Sequence, residues 1–261
     1  MKKRLLFFLI LALLFCFQYG LLPFTAKTHN HLRIIAHRGD SLNAPENTIP
    51  AILSAIKNNA DCIELDIRCT RDKIPVVFHD SDFRRMAGLD RSVSELNCSD
   101  FLSVPLSSYP PVTPCTLEEV LNLCSDYPGI HLHLELKVSG AEEKVVSLLQ
   151  KYDSVCFYEI SSKKPDILKK VKQQMPDVKT FLLLSSVKDI THYISHPPDG
   201  IDGISVKSAY VTALLTAIAR KRGHSLYTWT VNDLFSMHRL HRLGVDGIIT
   251  DNPSLLHKML S

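Results

Sequence analysis

Short apolar runs alternate with stretches of helical periodicity along most of the chain. Runs rich in Val, Ile, Leu, Tyr and Phe between turn residues are typical of strands, and nine such runs are present. They lie at residues 33–37, 61–67, 75–79, 131–137, 154–160, 178–184, 201–206, 225–231 and 246–250. Strands that alternate with helices predict a largely parallel α/β sheet.

Amphipathic stretches between these runs predict the helices. They lie at residues 49–57, 117–124, 142–152, 165–174, 211–221 and 233–243. Thr116 stands three residues before Glu119, a spacing that predicts a capping box at the start of the second helix.

The third apolar run, at residues 75–79, follows the second too closely to be its parallel neighbour. Seven residues separate them, and a parallel crossover needs a dozen or more. The third run is therefore predicted to return antiparallel as a hairpin, and a turn centred on Asp72-Lys73 would set His79 opposite Asp66. Eight parallel strands are left, which predicts a closed (β/α)8 TIM-type barrel with a hairpin and a loop, residues 80–115, inserted after the second strand.

The first 30 residues differ from the rest of the chain. Lys2, Lys3 and Arg4 precede a long apolar segment, which is typical of an export signal or a membrane anchor. No clean cleavage site follows, so an uncleaved anchor is slightly favoured over a cleaved signal. Residues 31–261 then form one barrel domain outside the cytoplasm, with membrane contact through the leader if it is retained.

Charge and cysteine content narrow the class of protein further. The net charge of +3 changes to −1 without residues 1–30, because these hold four basic and no acidic residues. A nearly neutral domain argues against a nucleic-acid partner. The seven cysteines show no metal-finger spacing and are interpreted as small buried hydrophobic residues, although disulfides remain open for an exported domain.

Carboxylates stand late in two of the predicted barrel strands. Glu64 and Asp66 are two residues apart and so share one face of a strand, as do Glu135 and Lys137. Barrel active sites form where the strands end. Three carboxylates at one barrel mouth predict a site for a hard cation, Mg²⁺ or Ca²⁺, rather than zinc.

Several short motifs occur in a fixed order over residues 33–256, and together they resemble the glycerophosphodiester phosphodiesterase family. The motifs are His37-Arg38-Gly39, Pro45-Glu46-Asn47-Thr48, Glu64-Leu65-Asp66, Val76-Val77-Phe78-His79-Asp80, Glu135-Leu136-Lys137, Trp229-Thr230-Val231-Asn232 and Gly247-Ile248-Ile249-Thr250-Asp251-Asn252-Pro253. The resemblance implies a (β/α)8 barrel that uses one divalent cation to cleave glycerophosphodiesters into glycerol 3-phosphate and an alcohol.

The resemblance also implies a role for each site residue. Glu64, Asp66 and Glu135 would hold the metal, and His37 and His79 would be the acid and base. Arg38 and Lys137 would hold the phosphate, and Trp229 would line the glycerol or alcohol side. The glycerol 2-hydroxyl would attack first, to give a cyclic phosphate that water opens.

The sequence departs from the family pattern at two places. Asp72-Lys73 replaces the family's Asp-Gly, and Asn59 replaces a glycine while tolerating the left-handed conformation.

Two alternative functions are kept beside this one. One alternative is a lysophospholipase D that acts on larger lipid phosphodiesters. The other is a catalytically silent barrel that binds phosphodiesters or a protein partner.

Overall fold

Eight parallel strands close into a barrel, as predicted. The computed structural model describes residues 11–16, 18–19, 32–108, 110–152 and 156–261. The first barrel strand pairs with both the second and the last, which closes the sheet. The barrel strands are β1 (Arg33–His37), β2 (Cys62–Cys69), β5 (His131–Leu136), β6 (Phe157–Ser162), β7 (Lys179–Leu184), β8 (Gly203–Lys207), β9 (Ser225–Trp229) and β10 (Gly247–Thr250).

Helices cover the outside of the barrel because their apolar faces pack against the outward side chains of the strands. Thr116 makes the predicted capping box with Glu119. The helix after β7 was missed by the sequence reading, and Ser186 caps it. The helices are α1 (Ile49–Lys57), α2 (Arg84–Ala87), α3 (Cys98–Leu102), α4 (Leu117–Cys124), α5 (Glu142–Lys151), α6 (Pro165–Gln174), α7 (Val187–Ser195), α8 (Ala213–Lys221), α9 (Leu234–Leu243) and α10 (Pro253–Leu260).

The hairpin forms as predicted, but its predicted register is wrong by one residue. β3 (Pro75–Val77) runs antiparallel to β2, with Ile67 opposite Val77, so His79 lies beyond the end of the strand. The reason is a three-residue loop instead of a two-residue turn: the Thr70 amide donates to the Ile74 carbonyl, and Lys73 occupies the left-handed region at φ +64°. Lys73 thus takes the conformation that glycine would adopt more easily.

The segment 80–115 is more ordered than the predicted loop. It contains α2, α3 and a short strand β4 (Cys115–Thr116) that pairs antiparallel with β3. Its apolar side chains pack with Val76 and Phe78 to form a separate small core, in which three phenylalanine rings contact one another. These rings are Phe78, Phe83 and Phe101. The insertion therefore has a hydrophobic core of its own and packs beside the end of β2.

The predicted leader lies largely outside the described residues. Among the residues that the structure describes, no helix combines the length and the apolar character needed to cross a bilayer. All seven cysteines are free, and four of the six beyond the leader are buried, in agreement with their interpretation as small hydrophobic residues. These four are Cys62, Cys115, Cys124 and Cys156.

Gly39 allows the loop after β1 to pack directly against α1. Its φ is +83°, and an added Cβ would lie 2.7 Å from the Cβ and the carbonyl carbon of Ala51. We expect Gly39→Ala to lower the free energy of unfolding by about 2–3 kcal/mol, since it combines backbone strain with a steric clash. The measurement is urea denaturation of both proteins.

Gly200 offers a matched control for this substitution. Its φ is +75°, but no atom lies within 4 Å of the position that a Cβ would take. Gly200→Ala should therefore lower the free energy of unfolding by only about 1 kcal/mol, the cost of the left-handed backbone. Equal losses in the two variants would show that the contact with Ala51 is not what requires glycine.

Candidate active site

Three carboxylates converge at the mouth of the barrel, as the sequence predicted. Glu64 and Asp66 point inward from β2, and Glu135 points inward from the neighbouring β5, where it pairs with Asp66. All three are buried, and each offers one oxygen such that the three oxygens lie within 4.8 Å of one another. Parallel pairing in register places these side chains on one face, so the cluster follows directly from the strand pattern.

The three carboxylates and the two basic side chains beside them strongly affect one another's pKa values. Burial and the neighbouring Asp66 raise the pKa of Glu64 to about 8. Burial would also raise the pKa of Asp66, but Lys137 and Arg38 outweigh it and hold that pKa well below its usual range. The Lys137 Nζ lies 2.9 Å from Asp66 Oδ1 and 2.9 Å from Glu135 Oε1, and Arg38 Nε lies 3.1 Å from Asp66 Oδ2.

These residues fit a hard divalent cation. Carboxylate oxygens at this spacing are the donors that Mg²⁺ and Ca²⁺ prefer. Three buried carboxylates this close together repel one another unless positive charge lies among them, and burial together with Asp66 accordingly raises the pKa of Glu64. A cation among the three oxygens would remove that repulsion, and open positions in its shell would remain for a substrate.

His37 ends β1 with its ring held by a carboxylate. Its Nδ1 lies 2.6 Å from Asp251 Oδ1, which also accepts a hydrogen bond from the Ser41 hydroxyl, while Asn232 donates to Asp251 Oδ2. Burial lowers the pKa of His37, but the hydrogen bond to Asp251 together with the negative charges of Glu64 and Asp251 outweighs it, and the pKa is raised. The pairing at Nδ1 leaves Nε2 for the pocket.

The ring of His79 is also held by a carboxylate. Its Nδ1 lies 2.7 Å from Asp80 Oδ1, and Arg85 holds the other oxygen of Asp80 at 2.7 Å. Burial lowers the pKa of His79, and this effect exceeds the attraction of Asp66. Although its predicted pairing with Asp66 is wrong, His79 still lines the same pocket as His37.

The loop after β1 folds back onto the carboxylate cluster. Arg38 and Asn47 both adopt positive φ, at +56° and +58°. The Arg38 amide donates to Glu64 Oε2 at 2.9 Å, and the Asn47 side-chain amide donates to Asp66 Oδ2 at 2.9 Å. The Arg38 side chain also donates to Glu46 at 2.7 Å, so Glu46 holds the guanidinium group in place.

All eight predicted site residues meet in one region of the barrel. Seven of them line a cavity of about 140 Å³ at the mouth, and Asp66 lies beneath it in contact with Lys137. The seven are His37, Arg38, Glu64, His79, Glu135, Lys137 and Trp229. A wider depression of about 630 Å³ lies at the other end of the barrel. None of the eight predicted site residues lines it, so it lacks the carboxylate cluster.

Sequence reasoning missed the carboxylates that hold the two histidines. The sequence gives Asp251 only as part of the last family motif, without a role; in the structure Asn252 caps the following helix and Asp251 holds the ring of His37. Closure of the barrel could have indicated this contact, because it places β10 beside β1. Ala36 then pairs with Thr250, and the residues that follow them are His37 and Asp251. Asp80 was visible only as the residue that follows His79.

A buried polar network lies inside the barrel below this cavity. Glu159 accepts hydrogen bonds from Arg33 at 2.6 Å and from the Tyr227 hydroxyl at 3.2 Å, and its other oxygen lies 3.3 Å from His133 Nδ1. Burial would raise the pKa of Glu159, but His133 and Arg33 outweigh it and lower the pKa to about 2. His133 also lines the cavity.

This pKa makes stability depend on Glu159 in a defined range of pH. A carboxyl whose pKa is lower in the folded state stabilises the fold above its unfolded value of 4.5, and it loses that contribution as the pH falls toward 2. We expect Glu159→Gln to lower the free energy of unfolding by about 3 kcal/mol at pH 7 and by about half as much near pH 3. Denaturant titrations across this range test it, and a pH-independent difference would contradict it.

Comparison with known proteins agrees with the barrel fold and identifies the family of the chain. The model of the glycerophosphoryl diester phosphodiesterase family matches residues 37–255. A glycerophosphodiester phosphodiesterase from Caldanaerobacter subterraneus is 31% identical over 236 residues, which cover 85% of this chain and 95% of that protein. The chain therefore belongs to the glycerophosphoryl diester phosphodiesterase family, as the ordered motifs predicted.

Two further proteins are similar to this chain over most of its length. A human lysophospholipase D is 24% identical over 273 residues, covering 88% of this chain and 85% of that protein. A phosphodiesterase from Oleispira antarctica, solved with the product sn-glycerol-3-phosphate, is 22% identical, has a TM-score of 0.77, and aligns over 87% of this chain and 96% of its own. The second comparison supports the (β/α)8 fold.

Proposed function

We propose that this protein hydrolyses glycerophosphodiesters to glycerol 3-phosphate and an alcohol by two-histidine acid–base catalysis. The observation that carries the proposal is the pairing of each histidine with its own carboxylate, His37 with Asp251 and His79 with Asp80. Both rings line the cavity beside the carboxylate cluster. Family membership and the product bound to the Oleispira antarctica relative support the same reaction class.

His37 and His79 divide the proton transfers. Cleavage of a phosphodiester requires a nucleophile that loses a proton and a leaving alkoxide that gains one. With Nδ1 of each ring directed at a carboxylate, Nε2 is the atom that exchanges a proton with the substrate. Asp251 and Asp80 fix the orientation of the rings and stabilise them when they are protonated.

Glu64, Asp66 and Glu135 hold one divalent cation, Mg²⁺ or Ca²⁺. When bound, the cation supplies positive charge to the non-bridging oxygens of the phosphate. Lys137 supplies a second positive charge from the same side of the cavity, and Arg38 a third. Because Arg38 already contacts Glu46 and Asp66, its free guanidinium edge is what remains for the phosphate. Trp229 forms a wall for the glycerol or the alcohol.

The reaction proceeds through a cyclic phosphate formed by attack of the glycerol 2-hydroxyl. The two-histidine arrangement supports this route, because one ring deprotonates the hydroxyl while the other protonates the leaving alcohol, and the roles reverse when water opens the ring. Rapid-quench experiments should trap the cyclic intermediate. Incorporation of solvent ¹⁸O in a single step without an intermediate would contradict it.

The first test is release of glycerol 3-phosphate by the full-length protein from glycerophosphocholine and glycerophosphoethanolamine. We expect EDTA to stop the release, and Mg²⁺ or Ca²⁺ to restore it; the ion that restores more identifies the natural cation. No release by a folded, metal-loaded protein from any phosphodiester would instead favour the catalytically silent barrel.

A lysophospholipase D activity is the second candidate. It is supported by the human relative, which aligns with 88% of this chain. Parallel assays with lysophosphatidylethanolamine and glycerophosphoethanolamine separate the two substrates, which share a head group and differ in the acyl chain. Faster turnover of the lysolipid would make this candidate the main activity.

We also propose that residues 1–30 export the domain 31–261 and that it acts outside the cytoplasm. The support is the sequence of Lys2, Lys3 and Arg4 before an apolar segment. Mass spectrometry of the isolated protein shows whether the leader is retained, and reporter fusions at the C-terminus show the side of the membrane. A cytoplasmic reporter signal would exclude this location.

A further inference from the structure

A groove of about 650 Å³ opens beside the active-site cavity, and basic side chains line much of it. The groove and the cavity share four residues, which are His79, Glu135, Lys137 and Lys163. Trp229 lines the cavity only, so the groove adjoins the part of the cavity that contains His79. A substrate whose phosphate lies in the cavity can therefore extend into the groove.

Strand register places three basic residues in one row along the groove. Asp66 on β2, Glu135 on β5 and Ser161 on β6 are direct neighbours across the sheet. Side chains two residues further along each strand return to the same face, and adjacent strands are only about 4.8 Å apart. These next positions hold Arg68, Lys137 and Lys163, which all line the groove and are here called the cation row.

Two members of the cation row form no ion pair among the described residues. Lys137 is paired, because its Nζ lies 2.9 Å from two carboxylates of the metal cluster. Arg68 donates through Nε to the backbone carbonyl of His79 at 2.8 Å, which fixes the guanidinium group without neutralising it. Lys163 is exposed and has neither a hydrogen bond nor an ion pair in the part of the chain that the structure describes. Like charges on neighbouring strands repel, so the row is suited to an anion.

The acidic side chains of the groove do not neutralise these two cations. Asp80 lies 2.7 Å from Arg85, and Glu135 lies 2.9 Å from Lys137, so both already have a basic partner. Asp82 accepts a hydrogen bond from the first backbone amide of α2 at 3.0 Å. Two unpaired cations in the row outnumber this single acid, and the groove keeps a net positive charge.

We infer that the cation row binds a phosphate group on the alcohol half of the substrate, so that the enzyme prefers glycerophosphodiesters whose alcohol carries a second phosphate. The inference rests on the proposed phosphodiesterase function and narrows its substrate class. The two Nη atoms of Arg68 remain for phosphate oxygens, which a guanidinium group binds in pairs, and Lys163 adds a point charge. An alcohol with a quaternary ammonium group, such as choline, meets repulsion in the same groove.

Three substrates that share the glycerol phosphate half test the inference. Their alcohols are 2-hydroxyethyl phosphate, ethane-1,2-diol and choline, which are anionic, neutral and cationic. We expect kcat/KM for release of glycerol 3-phosphate to be about 10-fold higher for the anionic alcohol than for the neutral one, and about 3-fold lower for choline. Equal values for the anionic and the neutral alcohol would overturn the inference.

Charge changes at Lys163 show whether the cation row causes this preference. The ratio of kcat/KM between the anionic and the neutral alcohol should fall from about 10 to about 3 in Lys163→Met and to about 1 in Lys163→Glu, whereas Lys163→Arg should keep it. Lys169→Met is the matched control, since Lys169 is an exposed lysine of α6 that does not line the groove. A wild-type ratio in Lys163→Glu would overturn the inference.

Calorimetry separates this inference from the proposed function. With glycerol 3-phosphate at saturation in the metal-loaded protein, 2-hydroxyethyl phosphate should bind the wild type about 10-fold more tightly than it binds Lys163→Glu. This result without turnover of any phosphodiester would support the anion site and contradict only the proposed reaction. Turnover of all three substrates without such binding and without a preference among them would overturn the inference and leave the phosphodiesterase intact.

Discussion

The His37→Asn variant is expected to hydrolyse glycerophosphoethanolamine about 10³-fold more slowly than the wild type, with its fold intact. Asparagine keeps a hydrogen-bond donor that can reach Asp251, so the end of β1 should remain in place. It has no group that exchanges a proton near neutral pH. Steady-state kinetics should show the loss in kcat, because the missing proton transfer belongs to the chemical step.

His131→Asn is the control for this variant. His131 stands on β5, stacks on Phe157, and lines the depression at the other end of the barrel. Its replacement should leave kcat unchanged within about 3-fold, since it is far from the proton transfers. If His37→Asn kept most of its activity while binding metal and unfolding like the wild type, another group would have to act in place of His37.

Much of the fold follows from local patterns that a single sequence carries. Apolar runs of strand length mark the barrel strands, and the short connection after Ile67 requires a hairpin. The helix Val187–Ser195 was not predicted, and it buries only Tyr193 fully against the barrel. The insertion was read as a loop because its small core joins residues that are distant in the sequence, such as Phe78 and Phe101.

The site was predictable as far as it depends on strand alternation. Glu64, Asp66, Glu135 and Lys137 are placed by the two-residue period of adjacent strands, and the family motifs supplied the rest. Long-range contacts lay beyond that reasoning. The hydrogen bond between His37 and Asp251 depends on closure of the barrel. The ion pair between Arg38 and Glu46 depends on the loop after β1, in which Arg38 and Asn47 have positive φ.

Lys137→Met is expected to change metal affinity and catalysis in opposite directions. The ammonium of Lys137 lies 2.9 Å from both Asp66 and Glu135, two of the three proposed metal ligands. Burial lowers the pKa of Lys137, but these carboxylates outweigh it and raise the pKa, so the group stays charged. Methionine retains similar length without the charge, and removing a repelling cation should tighten Mg²⁺ or Ca²⁺ binding about 10-fold.

The same substitution removes a positive charge from the phosphate site, so kcat/KM should fall by about 10²- to 10³-fold even with saturating metal. Lys164→Met is the control, because Lys164 is exposed and donates to Ser139 rather than to the carboxylate cluster. It should alter neither quantity beyond about 3-fold. Weaker metal binding by Lys137→Met would show that Lys137 organises the carboxylates instead of competing with the cation. Unchanged kcat/KM would show that the charge of Lys137 does not act on the phosphate.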